Sequence, residues 1–269
     1  MTQYAVVGDP IAHSKSPEIH RLFAEQTGED VQYDKFRVEA DAFDSFVTEF
    51  FAAGGGGLNV TLPHKQAAFD LARKKSRQTD LAKAANTLWM NSDGDLQAEN
   101  TDGAGLVNDL QKNNQFSIAD KHILLLGAGG AARGALAALV AENPASILVL
   151  NRTLARAEAL QSDFASTFEL QTAAYDATPE QQYELVVNAT AMSIAGQVPA
   201  ISPDFLVPGC CCYDMMYGAD NTAFMRWAEQ QGAGLVLDGL GMLVEQAAES
   251  FYIWRGVKPQ TAEVIAALR

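Results

Sequence analysis

The stretch Ile123-Leu124-Leu125-Leu126-Gly127-Ala128-Gly129-Gly130-Ala131-Ala132 decides the fold. A strand-like aliphatic run breaks into a glycine-rich turn, and a small-residue helix, Arg133 to Ala141, leads on to a second strand, Ser146 to Leu150. Strand, turn, helix and strand make one βαβ unit. The turn is the G-x-G-x-x-A form of the dinucleotide fingerprint: Gly127 serves the tight turn, Gly129 the close approach of a pyrophosphate, and Ala132 the packing of helix on strand. Ala128, Gly130 and Ala131 complete a cradle at a helix N-terminus, where unpaired N–H groups and the dipole favour an anion. Without this context the glycines would mark only a tight turn or a helix end.

The second strand ends in Asn151-Arg152-Thr153, where NAD binders place an acid. An acid would accept hydrogen bonds from the adenosine ribose, whereas an arginine fork matches a 2′-phosphate and points to NADP. Thr153 and Arg156 offer a hydroxyl and a second guanidinium to the same phosphate. The competing reading of Arg152 is a solvated loop arginine.

A chain of 269 residues, 48% hydrophobic and 19% charged, accommodates two modest domains or one large one. Its net charge of −14 argues against nucleic acid or an anionic membrane as a partner. The N-terminal Met1-Thr2-Gln3-Tyr4 lacks the basic segment of a signal peptide, Asp9-Pro10 interrupts early, and no apolar stretch approaches the ~20 residues of a membrane span. Cytoplasmic residence is the expectation. The 3 cysteines, Cys210, Cys211 and Cys212, are consecutive, which suits neither zinc ligation nor a disulfide framework. They read as a buried strand with alternating faces, and no metal is expected.

The first third alternates strand and helix patterns: strand Tyr4 to Gly8, helix Pro17 to Gln26, strand Val31 to Val38, helix Ala42 to Ala53, strand Leu58 to Leu62. Such alternation implies a mostly parallel sheet with crossover helices. The run Gly54 to Gly57 reads as a helix stop and tight turn. A hairpin follows, Thr87 to Met90 and Leu96 to Ala98, turned at Asp93-Gly94. A helix from about Ala104 to Lys112 leads into the βαβ unit, so a domain boundary is placed near residue 103. Further strands are expected at Glu184 to Asn188, Cys210 to Asp214 and Leu235 to Leu237. From Gly241 onward two helices are expected, the first with an apolar stripe of Met242, Leu243, Ala247, Phe251 and Trp254.

A nicotinamide enzyme that reduces a carbonyl needs a proton donor for the oxygen and groups that orient the substrate. Of the 4 histidines, His20 lies in an amphipathic helix and His122 at a strand start, which suits structural roles; His13 and His64 fall in richer neighbourhoods. Those neighbourhoods are Gly8 to Pro17, Asn59 to Lys65, Asn86-Thr87 and Asn100 to Gly103. Two of them follow strands at the carboxyl edge, where α/β sheets bind ligands, and the hairpin brackets the other two.

Taken together, Asp9-Pro-Ile-Ala-His-Ser-Lys-Ser-Pro17, Asn59-Val-Thr-Leu-Pro-His-Lys65, Asn86-Thr87, Asn100-Thr-Asp-Gly103, the Gly127 fingerprint, Asn151-Arg-Thr153 and Asp238-Gly-Leu-Gly-Met242 resemble the shikimate dehydrogenase family over nearly the whole chain. The resemblance implies NADP-linked interconversion of 3-dehydroshikimate and shikimate in aromatic amino-acid biosynthesis. It implies two α/β domains with an active-site cleft between them: a substrate domain, residues 1–103, joined by C-terminal helices 240–269, and a Rossmann-like NADP domain, 104–239. Lys65 then matches the catalytic acid/base and Asp102 its partner. Ser14, Ser16, Thr61, Asn86, Asp102 and Gln246 match substrate-binding positions, with Asn59 and Tyr217 as weaker additions. Met215 and Gly239 correspond to residues near the nicotinamide.

Chemically, two serine hydroxyls beside Lys15 suit a carboxylate, and amides with the Asp102 carboxylate suit ring hydroxyls. Each residue also has a plainer reading. Ser16 before Pro17 looks like a helix cap, as does Asp102 before Gly103; Lys65 could be a surface lysine, Gln246 a polar residue on an amphipathic helix, and Asn86 and Asn100 turn residues. The chain departs from the family pattern near Arg77-Gln78-Thr79, where the family's acidic residue has no clear match and no role is carried over, at Ala191-Met192-Ser193, and at Ala85. Two rivals remain at this level: a quinate/shikimate dehydrogenase of broader substrate or NAD use, and a non-catalytic dinucleotide or shikimate sensor on the same scaffold. Retention of both Lys65 and Asp102 argues against the sensor. Monomer and homodimer are both open.

Overall fold

The computed structural model describes residues 2–269. The chain divides into two compact units, one running to Gly105 and resuming at Leu243–Arg269, the other Leu106–Met242.

In the first unit β1 (Thr2–Gly8), α1 (Ser16–Thr27), β2 (Val31–Arg37), α2 (Phe43–Ala52) and β3 (Gly57–Val60) alternate. They are followed by α3 (Lys65–Leu71), β4 (Lys74–Lys75), α4 (Arg77–Ala82), the hairpin β5 (Thr87–Met90) and β6 (Leu96–Glu99), and α5 (Thr101–Asn108). The sheet order is β2-β1-β3-β5-β6-β4. β1 pairs in parallel with β2 and β3, and β4 with β6, while β5 runs antiparallel to both β3 and β6, so the sheet is mostly parallel, as the alternation suggests, with the hairpin strand β5 as the exception. The chain leaves β1 towards β2 on one side and returns to β3 on the other. The carboxyl ends of β1 and β3 therefore flank a switch point, the place where such sheets bind ligands.

The second unit carries β7 (His122–Leu126), α6 (Gly130–Ala141), β8 (Ser146–Leu150), α7 (Leu154–Phe164), β9 (Gln171–Ala173), β10 (Tyr183–Asn188), β11 (Leu206–Asp214), α8 (Ala223–Gln230) and β12 (Leu235–Leu237). Every strand pair is parallel, in the order β12-β11-β10-β7-β8-β9. Renumbered from β7, that is 3-2-1-4-5-6, the doubly wound dinucleotide-binding order. Residues 123–126, 147, 149, 150 and 185–187 are sealed from solvent, which explains why these strands read as continuous apolar runs.

Helix α9 (Leu240–Arg255) begins in the second unit and continues into the first, where α10 (Ala262–Leu268) ends the chain. Phe23 on α1 and Phe251 on α9 are both fully buried and meet edge to face at 5.8 Å. Burial of each such ring contributes about 1.5–3 kcal/mol. The apolar stripe is only part of the packed surface of α9, because Val244, Gln246, Ala248 and Ser250 are buried as well. Helix α5 starts at Thr101, three residues before the pattern suggests, and Asp109–Asn113 continue it with π-type turns. No helix among the described residues is long and apolar enough to cross a membrane.

Candidate active site

In the first unit two loops open at the switch point. The backbone N–H of Thr61 donates to the Val7 carbonyl at 2.9 Å, and that of Asp9 to the Leu62 carbonyl at 3.0 Å, tying the two strand ends together. A methyl group on Gly8 would lie 2.4 Å from Thr61 Cγ2, so only glycine lets these loops approach. After β1 the chain turns through Ser14, whose hydroxyl accepts the Ser16 N–H at 3.3 Å. Ser16 is thus the first residue of α1 and not its cap; Ser14 satisfies the free donor instead, and Ser16 is buried. After β3 the chain turns at Thr61, whose carbonyl accepts the His64 N–H at 3.0 Å, and α3 begins at Lys65.

Lys65 donates through Nζ to Oδ2 of Asp102, in the first turn of α5. The two side chains are 26% and 17% exposed, sheltered but reachable by water. The other oxygen, Oδ1, accepts from Asn86 Nδ2 at 2.9 Å. The same amide nitrogen faces Thr101 Oγ1 at 2.9 Å and Gln246 Oε1 at 3.1 Å. Asn86 Oδ1 accepts the Thr101 N–H at 2.7 Å, and because that donor is fixed backbone, the amide cannot be turned over. Asn100 is no idle turn residue: Oδ1 accepts the Asp102 N–H at 3.2 Å, and Nδ2 reaches the Ala84 carbonyl at 2.9 Å. Lys65, Asp102, Asn86, Asn59 and Gln246 therefore form one cluster, with Ser14, Ser16 and Thr61 on the two switch-point loops.

In the second unit Gly127 has φ +107°, and a methyl group there would press on Thr190 Cγ2 at 3.1 Å and the Ala189 carbonyl at 3.3 Å. The turn is held at the ends of both β7 and β10. Gly129 precedes α6, no side chain caps that helix, and a Cβ on Gly129 or Gly130 would meet nothing within 4 Å. Open space before free helix donors is what a pyrophosphate requires. Asn151 Nδ2 folds back on the Thr153 carbonyl at 2.8 Å, leaving Arg152, Thr153 and Arg156 exposed. Burial pushes the Tyr175 phenol up, and the positive charge of Arg152 nearby opposes it. Met215 and Gly239 touch, since a methyl group on Gly239 would fall 2.3 Å from the Met215 carbonyl oxygen. Tyr217, two residues on, is partly exposed. Among the described residues no His, Cys, Asp or Glu cluster suited to a metal occurs, and all three cysteines are buried, free thiols.

Models of three domains match the chain in order: the shikimate dehydrogenase substrate-binding domain over residues 6–88, shikimate/quinate 5-dehydrogenase over 109–195, and the shikimate 5′-dehydrogenase C-terminal domain over 239–269. A shikimate dehydrogenase (NADP(+)) of Cellvibrio japonicus is 49% identical over 99% of this chain and 96% of its own. The chain belongs to the shikimate dehydrogenase family. The Ael1 enzyme of Pseudomonas putida superposes with a TM-score of 0.94 at 41% identity, covering 100% of this chain and 98% of that one. The Thermus thermophilus shikimate 5-dehydrogenase, solved with NADP(H) and shikimate, does so with 0.88 at 30% identity over 99% and 98%.

Membership in the shikimate dehydrogenase family leaves several side chains of this site unaccounted for by motif reading. Tyr33 and Ser250 hydrogen-bond within the cluster, beside the motif residues Thr87 and Thr101, and Thr79 donates to Glu99 Oε1 at 2.5 Å while accepting the Asn100 N–H at 2.9 Å. The segment around Arg77-Gln78-Thr79 thus braces the strand end that leads to Asp102. In the second unit Asp214 is fully buried; it accepts from Ser193 and Thr222 hydroxyls at 2.6 Å each and from Asn188 Nδ2 at 3.1 Å. Burial pushes its carboxyl up, against those hydrogen bonds. Ser193 is therefore committed to Asp214, which fixes the loop after β10. The only local signal for these residues was a hydroxyl or carboxylate in an otherwise apolar strand or helix.

Proposed function

We propose that this chain catalyses the reversible NADP-dependent reduction of 3-dehydroshikimate to shikimate, with Lys65 as the acid/base and Asp102 as its orienting partner. The observation that carries the reading is the Lys65–Asp102 contact braced from behind by Asn86. When bound, NADPH supplies the hydride that reaches the carbonyl carbon. Lys65 holds a proton on Nζ and donates it to the oxygen that becomes alkoxide; in the oxidative direction the neutral amine takes the hydroxyl proton back. Asp102 keeps the ammonium in one direction and offers its carboxylate to a neighbouring ring hydroxyl. Partial exposure of Lys65 lets water restore its proton after each turnover.

Ser14 and Ser16 are assigned to the substrate carboxylate, and Thr61, Asn86, Gln246 and Tyr217 to its remaining polar groups. The turn Gly127 to Ala131 would hold the pyrophosphate, Asn151, Arg152, Thr153 and Arg156 the adenosine ribose and its 2′-phosphate, and Met215 and Gly239 the nicotinamide. The space over Gly129 and the uncapped start of α6 fit that group. Reduced, buried thiols at residues 210–212 suit a cytoplasmic setting. The test crosses shikimate or quinate with NADP+ or NAD+ and follows absorbance of the reduced nicotinamide. Turnover is expected with shikimate and NADP+ above the other three pairs. Quinate turnover of equal efficiency would replace the substrate assignment, and no turnover with either acid would remove it.

A further inference from the structure

Behind the Lys65–Asp102 pair lies a run of buried and half-buried polar groups that no catalytic step uses. Tyr33 on β2 donates its phenol proton to Asn59 Oδ1 at 2.7 Å. Burial pushes this phenol well up, so it stays a donor, and the Ser16 side chain also touches it. Asn59 Nδ2 spreads over the Asn86 carbonyl at 3.2 Å, Ser250 Oγ at 2.9 Å and Thr87 Oγ1 at 3.3 Å. A carbonyl only accepts, so the Asn59 amide has one allowed orientation. Ser250, on α9 and fully buried, lies 2.7 Å from Thr87 Oγ1, a contact in which either hydroxyl can donate, and Ser250 also reaches the Gln246 carbonyl at 3.1 Å. Thr87 Oγ1 lies 3.1 Å from Asn86 Oδ1, which also accepts the Thr101 N–H at 2.7 Å. Asn86 in turn donates to Asp102.

We infer that Tyr33, Asn59, Ser250 and Thr87 form a hydrogen-bonded chain that, together with the Thr101 N–H, holds the Asn86 amide in place with its NH2 group towards Asp102, so that Asn59 is a positioning residue and not a ligand of the substrate. The inference rests on Lys65 and Asp102 acting as the proton-transfer pair. Two observations support the second half. Asn59 is 6% exposed, and both ends of its amide are occupied by the protein. Hydrogen bonds accepted at Asn86 Oδ1 polarise the amide, so the bond from its NH2 group to Asp102 is strengthened by donors on its far side. Ser250 brings α9 into the chain, the same helix whose Gln246 faces Asn86. Nothing in the local sequence around Tyr33 or Ser250 signals this, because the chain is assembled from β2, β3, β5 and α9.

The test uses the full chain with Tyr33→Phe, Thr87→Val, Ser250→Ala and Asn59→Ala, and Thr87→Ser as the variant that keeps the hydroxyl. Three quantities are read: kcat, the equilibrium Kd for shikimate, and the side-chain NH2 resonances of Asn86 with their exchange protection in the ligand-free protein. Loosening of a positioned group costs turnover before binding, so kcat is expected to fall about tenfold in Thr87→Val and Asn59→Ala while Kd moves less than about threefold. Thr87→Ser should return to within about twofold of the parent. The Asn86 NH2 signals should lose protection in step with kcat. A raised Kd with preserved kcat in Asn59→Ala would make Asn59 a ligand, and unchanged Asn86 protection in the well-folded Tyr33→Phe and Ser250→Ala variants would overturn the chain. The resonances are read without substrate, so parent protein inactive on shikimate would sink the proposed reaction and leave this measurement to decide the chain by itself.

Discussion

Lys65 and Asp102 meet as an ammonium–carboxylate pair although 37 positions separate them in sequence. Each stands at the start of a helix, Lys65 as the first residue of α3 and Asp102 in the first turn of α5. A carboxylate is favoured at a helix N-terminus and a lysine is not, so the partner, more than the helix, holds the ammonium there.

Replacement of Lys65 by Met removes the transferable proton and keeps an unbranched chain of similar length. Positioned acid–base catalysis contributes about 10²- to 10⁴-fold, so kcat should fall in that range while shikimate still binds. Asp102→Asn leaves a single acceptor oxygen for two donors, Lys65 Nζ and Asn86 Nδ2, and loses the charge, and should lower kcat far more than it lowers Tm. Steady-state kinetics beside a shikimate titration check both; undiminished turnover in Lys65→Met would end its assignment.

Arg152 is exposed at the end of β8 with Thr153 and Arg156 beside it. A charge-assisted hydrogen bond to phosphate is worth about 1.5–3 kcal/mol, so Arg152→Asp should raise the KM for NADPH about 10- to 100-fold. The KM for NADH, which has no 2′-phosphate, should change much less. Equal effects on both cofactors would take Arg152 out of phosphate recognition.

Gly129 and Gly241 separate space kept for a ligand from space already filled. A Cβ on Gly129 meets nothing within 4 Å, whereas one on Gly241 would lie 2.0 Å from Asp109 Oδ1. Asp109 cannot easily yield, because the Tyr213 hydroxyl donates to it at 2.6 Å and Asn113 Nδ2 at 2.9 Å. Gly241→Ala should therefore cost about 1–3 kcal/mol of stability, an overpacking penalty visible in urea unfolding. Gly129→Ala should cost at most about 1 kcal/mol yet weaken NADP binding, because its methyl group enters the approach to the helix start.

The Rossmann half was nearly legible from local pattern. β8 and β12 match the expected limits, and β7 and α6 differ by a few residues; β7 and β8, sealed on both faces, have no alternative to an apolar run, whereas β12 is a half-buried edge strand. What local pattern could not supply was set by distant partners. β4 and β9, two and three residues long, exist only through pairing with β6 and β8. α5 begins early because Asn86 and Asn100 side chains take the N–H groups of Thr101 and Asp102. β3 ends at Val60, two residues short of Leu62, where the chain turns back through Thr61 and His64. The site motifs, Asn86-Thr87 among them, were visible as motifs; Tyr33 and Ser250 were not, since a single tyrosine or serine carries no spacing of its own.

His20 tests how dry the first unit's core is. Its ring is fully buried, stacked on Tyr33 at 4.1 Å and 6° and edge-on to Phe23 at 6.0 Å. Neither ring nitrogen closes a hydrogen bond. Burial pushes the imidazole from 6.5 down to about 3, with nearby Asn59 opposing only weakly. The folded value lies below the unfolded one, so between those two pH values the unfolded chain binds more protons and stability rises with pH. The contribution is complete above the unfolded value near 6.5 and is lost on acidification towards 3, by up to about 1.4 kcal/mol per pH unit. His20→Phe keeps an aromatic ring in the stack and removes the titration. Thermal unfolding should give similar Tm values for parent and variant at about pH 7.5 and a higher Tm for the variant at about pH 4.5. Parallel Tm curves across that range would mean that water reaches His20 and that its burial does not couple to folding.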